Sequence, residues 1–160
     1  MATKAHRPTQ GKTMELTVIR TIPATPSEVF DAWLDWKSPG SPWFGAARAI
    51  VHPAVDGLFF HMVRFEDHDW AHYGRFVTLD RPRRIQHTWV SEATRGLESV
   101  VTLNFDGQED KTRVRLHHAN LPDDPMGRRH EEGWGFVLGA LAERFTRRAP
   151  GHSRREGGSQ

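Results

Sequence analysis

The chain has 160 residues, enough for one domain and too few for two separate cores. Cysteine is absent, which excludes disulfides, thiolate nucleophiles, zinc–thiolate sites and iron–sulfur clusters. The net charge of +2 is unevenly placed, with +4 on residues 1–13 and 149–160 and −2 on residues 14–148, so no basic groove for nucleic acid is expected in the folded body.

The first 13 residues are rich in Thr, Gly, Pro and charge and lack the hydrophobic segment of a secretion signal, which predicts a disordered tail on a cytoplasmic protein. Glu15 to Ile22 alternates apolar and polar side chains at the period of a half-buried strand. Pro23 ends it, and Thr25-Pro26-Ser27-Glu28 combines an N-cap, a proline at the first helical position and an acid in the first turn. The helix that follows has Val29, Phe30, Trp33 and Leu34 on one face. Ser38-Pro-Gly-Ser-Pro42 breaks the chain ahead of Trp43 and Phe44.

From 47 to 120 the sequence reads as six strands, at 47–53, 57–66, 70–79, 84–92, 97–105 and 111–120, separated by turn-forming clusters such as Glu66-Asp-His-Asp69 and Asp106-Gly-Gln-Glu-Asp110. These links are too short for parallel crossovers, so the sheet is expected to be antiparallel. After Leu121-Pro-Asp-Asp-Pro125, Trp134, Val137, Leu138, Leu141 and Phe145 return to the helical period and mark a long amphipathic helix of about five turns. Gly135 and Gly139 within it are read as places where the helix approaches the sheet closely. The composition from 149 onward predicts a second disordered tail, leaving one domain at 14–148. No run approaches the ~18 apolar residues of a membrane span, so no membrane contact is expected.

This order, with several local motifs, resembles the START-like superfamily, also called SRPBCC or Bet v 1-like, and within it the family named for activators of the heat-shock-protein ATPase. The motifs are Ile22-Pro-Ala-Thr-Pro-Ser-Glu-Val-Phe30-Asp-Ala-Trp33, His52-Pro-Ala-Val-Asp-Gly57, the stretch from Gly74 to Trp89, the last strand from Thr112 to Leu121, and Gly133-Trp134 with Leu138-Gly-Ala-Leu141. Trp43-Phe44 falls where the family has a tryptophan. The resemblance implies an α+β helix-grip fold, a curved seven-stranded antiparallel sheet wrapped around a long C-terminal helix, often with a hydrophobic cavity between the two.

Such a cavity is the default small-molecule site. The turn-matched register points Phe59, His61 and Val63 inward on one strand and Ile85, His87 and Trp89 inward on another, with Tyr73, Trp134 and Trp43 as further aromatic lining. The candidate ligand-binding residues are therefore Trp43, Phe59, His61, Val63, Tyr73, His87, Trp89 and Trp134, and the expected partner is a small apolar or aromatic ligand. Burying about ten CH₂ equivalents yields about 8 kcal/mol against an association cost of at least ~4, so apolar contact alone gives millimolar to micromolar affinity. Tighter binding needs polar contacts, with the histidines, Tyr73 and Arg64 or Arg75 as available donors.

Two other readings stand beside this one. The resemblance also implies regulation of a heat-shock chaperone ATPase, for which the outer sheet face with Arg84, Gln86, Arg113, Arg115 and His117 would be the contact surface. A cyclase- or dehydratase-like enzyme would use His61 or His87 as a general base near neutral pH; no catalytic residue is assigned, and the non-enzymatic reading is favoured. No metal or other cofactor is expected. His68 and His72 have the spacing useful on a helix but fall in a turn, His117 and His118 point to opposite faces of a strand, and His130-Glu131-Glu132-Gly133-Trp134 departs from the zinc-protease pattern at Trp134.

Overall fold

The capping signal at Thr25 is realised in full. Its Oγ1 accepts from the Glu28 backbone N–H at 3.3 Å, and the Glu28 carboxylate accepts from the Thr25 N–H at 3.4 Å. The computed structural model describes residues 11–148, so residues 1–10 of the tail expected at 1–13, and the whole tail expected at 149–160, lie outside the described residues. The elements run β1 (Thr13–Ile22), α1 (Pro26–Leu34), β2 (Arg48–Val51), β3 (Leu58–Phe65), β4 (His68–Asp80), β5 (Arg84–Ser91), a 3-10 turn (Glu92–Thr94), β6 (Ser99–Gln108), β7 (Lys111–Pro122) and α2 (Pro125–Arg148). β1 begins at Thr13, one residue before the boundary expected at 14, where Thr13 pairs with Pro122 and the neighbouring Lys12 carbonyl accepts from the Asp123 N–H.

The seven strands form one antiparallel sheet in the order β1-β7-β6-β5-β4-β3-β2. Every connection from β2 to β7 joins neighbours, as the short links require. A register shift between Phe76 and Thr78 breaks the regular pairing of β4 with β5, and a bulge of this kind bends a strand and increases its twist. The sheet curves around α2, which gives the helix-grip arrangement of the α+β class.

α2 buries the expected stripe, with Trp134, Leu138, Leu141 and Phe145 all withdrawn from solvent. Its contacts with the sheet are made on β1 and β7, while α1 closes on β6 and β7. The loop after α1 is clamped onto α2 at Gly40, where φ is +97° and an added Cβ would stand 2.7 Å from Leu141 Cα. Gly135 and Gly139 do not bring the helix close to the sheet as expected, since a Cβ at either position meets nothing within 4 Å. No helix among the described residues is long and apolar enough to cross a membrane.

A candidate ligand-binding cavity

Because α2 meets the sheet at the β1–β7 side, its first half stands away from the β3–β4 hairpin. The space between them is a cavity of about 490 Å³. Val63, Trp70 and Trp89 wall it on the sheet, Met126, Gly133, Trp134 and Val137 on α2, and Pro42 and Ala93 at its ends. Phe65, Glu66 and His68 edge the opening, with Phe65 61% exposed. His68 is held there by Glu92, whose carboxylate oxygen is 2.6 Å from its Nε2.

Four of the eight candidate residues, His61, Val63, Trp89 and Trp134, lie on this wall. Trp43, Phe59 and His87 lie behind it in a packed aromatic cluster. The Trp43 ring is 5.2 Å from Phe59 and 5.7 Å from His87, and Phe59 meets His87 edge-on at 5.4 Å. Tyr73 was expected inside and is outside. It pairs with Phe60 in β3, one residue off the inward set of Phe59, His61 and Val63, so it faces outward and is 52% exposed. Arg64 and Arg75 are likewise unavailable as donors, being paired on the outer face with Asp69 at 3.1 Å and Asp56 at 2.9 Å.

Beyond His61, the histidines His68, His72 and His130 also line the cavity, and His118 lies behind its wall in contact with Trp134. β4 begins at His68 and not after it, so His68, Trp70 and His72 share the inward face. The His72 ring stacks on His61 at 4.5 Å and 15°. His118 follows Val114 and Leu116 on the buried side of β7 and is fully enclosed. It accepts from Trp134 Nε1–H at Nδ1 (2.9 Å) and meets Ser99 Oγ through Nε2 (2.8 Å), while Ser99 Oγ–H donates to the Trp89 carbonyl. A nitrogen that accepts from an indole N–H carries no proton, so His118 is neutral with its proton on Nε2. His130, four residues before Trp134 on α2, lines the cavity, and its Nδ1 lies 3.1 Å from the carbonyls of Met126 and Gly127, which fixes its proton there.

Burial governs the charge of this cluster. Desolvation pushes His61 down to about 3, with the neighbouring His72 and His87 adding to it, and pushes His72 and His87 down to about 4. It also holds His118 well below the usual histidine range and lowers His130. Neither His61 nor His87 has the near-neutral pKa expected of a general base, and His87, at 0% exposed, does not border the cavity. Among the described residues no group of three or more His, Asp or Glu converges as a metal site.

The wall is thus aromatic and uncharged, with charge only at its rim, on the inner side of a curved sheet gripping one helix: the architecture of a START-like domain. The family model described as "Activator of Hsp90 ATPase homolog 1-like protein" matches residues 23–146, and the chain belongs to that family. No curated protein matches it. Among solved structures, the Mll3558 protein from Rhizobium loti is similar at 20% identity and a TM-score of 0.67, over 82% of this chain and 96% of that one. CalU16 from Micromonospora echinospora is similar at 22% identity and a TM-score of 0.63, over 93% and 87%. PFC0360w, an HSP90 activator from Plasmodium falciparum, is similar at 23% identity and a TM-score of 0.62, over 76% and 87%.

Proposed function

We propose that this chain binds a small apolar or aromatic molecule in the cavity between the β3–β4 hairpin and the first half of α2, and performs no chemistry on it. The observation that carries this reading is an aromatic-walled space of about 490 Å³ that the side chains leave unfilled. A cavity of ~150 Å³ holds one benzene ring, so this volume suits a ligand of about two or three rings. The histidines supply polar contact without a charge, which suits a site whose interior has no buried ion to offset.

A thermal-shift screen of apolar, aromatic and fatty molecules tests it, run beside a Gly133→Leu variant. A Cβ at Gly133 meets nothing within 4 Å and the residue lines the cavity, so a leucine there is placed to extend into the site. A ligand that binds only the folded state at about a hundred times its Kd stabilises it by ~2.7 kcal/mol. The expected result is a dose-dependent shift in the natural chain that disappears in Gly133→Leu. No shift with any ligand, or an equal shift in both proteins, would overturn the reading.

A second reading is favoured by a separate observation. Arg84, Arg113 and Arg115 on the outer sheet face have no ion-pair partner among the described residues, and His117 beside them contacts Glu15 at 3.3 Å. One similar structure is that of an HSP90 activator. Regulation of a chaperone ATPase through this face is tested by pull-down at low salt with an Arg84→Glu, Arg115→Glu double variant. Capture lost in the variant supports it, and no capture by the natural chain counts against it.

A further inference from the structure

Which ligands the cavity selects, given the cavity reading above, depends on which polar atoms of its wall are still free to bond. Met126, His130, Gly133, Trp134 and Val137 recur at three- and four-residue steps of α2 and line the cavity together, so they form one helix face turned toward it. Trp134 uses its only donor on His118. His68 is engaged by Glu92 at the opening, and His72 bonds to the backbone of Trp70. The Trp89 indole nitrogen and His61 Nδ1 are sealed in the packing.

His130 differs from these. The carbonyls of Met126 and Gly127, in the preceding helical turn, lie 3.1 Å from its Nδ1 and hold its proton there. Burial lowers its pKa, so the ring takes up no second proton at neutral pH and Nε2 is a bare lone pair. The two nitrogens of an imidazole point to opposite sides of the ring, so with Nδ1 turned back to its own helix, Nε2 points away from it. His118 packs perpendicular to this ring at 5.1 Å but offers it no donor, because its Nδ1 accepts from Trp134 and its Nε2–H meets Ser99. Among the described residues His130 Nε2 has no hydrogen-bond partner, and it is not sealed in the packing.

We propose that His130 Nε2 is a hydrogen-bond acceptor for ligands in this cavity and selects phenols, whose O–H donates to it. A phenol is neutral near pH 7, since its proton leaves only at a pKa of about 10, so it brings no charge to a wall that has none to offset it. A ketone or an ether would set its own lone pairs against that of Nε2 and make no bond. A carboxylate would do the same and also bury a charge, with Arg129 only at the rim. The faces of Trp70, Trp89 and Trp134 suit a flat ring system over a flexible chain.

The test compares four ligands with one ring system, namely naphthol, methylnaphthalene, naphthyl methyl ketone and naphthoate, titrated at neutral pH into the full chain and into His130→Phe. Phenylalanine keeps a flat ring of similar size and removes the lone pair. One hydrogen bond is worth roughly two- to tenfold in affinity. The variant should weaken naphthol by that factor while leaving methylnaphthalene and the ketone within about twofold. Nitrogen NMR of the natural chain should show His130 as the Nδ1–H form, with the Nε2 signal moving further on titration with naphthol than with methylnaphthalene. This readout carries the test if His130→Phe fails to fold. An equal effect of the variant on naphthol and methylnaphthalene, equal movement of the Nε2 signal with both, naphthoate bound more tightly than naphthol, or an Nε2–H ring would each overturn the proposal while leaving the cavity reading intact. Failure of all four ligands to bind would overturn both.

Discussion

Acid should destabilise this protein well before its carboxylates titrate. His61 and His87 are buried as neutral rings with pKa values near 3 and 4, whereas the unfolded chain takes up protons at the ordinary value of 6.5. With folded pKa values below the unfolded one, their stabilising contribution is complete above pH 6.5 and drains away as the pH falls toward the folded values. At about pH 5 each ring costs about 2 kcal/mol relative to neutral pH, or about 4 for the two, because the unfolded state is protonated there and the folded state is not. His72, His118 and His130 shift in the same direction and add to the loss. A domain of this size has a total stability of roughly 5–15 kcal/mol and loses roughly 3–5 °C of Tm per kcal/mol. Calorimetry across this range should show a flat Tm above about pH 7 and a fall of at least about 12 °C by about pH 5. In His87→Phe, one titrating group is gone and the slope should shrink by about one proton, whatever packing cost lowers the whole curve. Equal Tm values at the two pH limits, or an unchanged slope in His87→Phe, would refute the claim that these rings are held neutral by burial.

Three further outcomes follow from the packing. Gly133→Ala, Gly135→Ala and Gly139→Ala should each stabilise the fold by about 0.5–1 kcal/mol in urea melts, since a Cβ at these helical positions meets nothing within 4 Å. Gly40→Ala should cost roughly 2 kcal/mol or more by the same assay, from its positive φ and the approach to Leu141. Ser99→Ala should cost about 1–3 kcal/mol by leaving His118 Nε2–H without its acceptor, and Trp134 fluorescence should report the loosened ring.

Much of the fold was legible because period and punctuation agree along the chain. The capping residues at Thr25 and Glu28, the turn clusters between strands and the stripe from Trp134 to Phe145 each favour one local structure, and all seven strands and both helices appear near their expected places. The site was less legible, for a reason visible in β4. Both parities of that strand carry aromatic side chains, Trp70, His72 and Phe76 on one and Tyr73 on the other, so alternation alone does not say which set faces inward. Pairing with β3 decides it, and pairing is a long-range property that a two-residue period does not reveal. His118 and His130 carried a readable signal. The first continues the Val114, Leu116 alternation and the second stands one helical turn before Trp134, so both fall on apolar faces. Where α2 would rest on the sheet, and so where a cavity would open, depends on the docking of Leu138, Leu141 and Phe145 against β1 and β7 and is not encoded in any local pattern.

The most direct measurement of ligand binding in the cavity is an NMR titration of the full chain with naphthol. Saturable shifts at His61, Val63, Trp89, Gly133 and Trp134, with Tyr73, Arg84 and Arg115 unmoved, are the expected result. Shifts confined to the outer sheet face, or none at saturating ligand, would contradict the assignment of this cavity as the binding site.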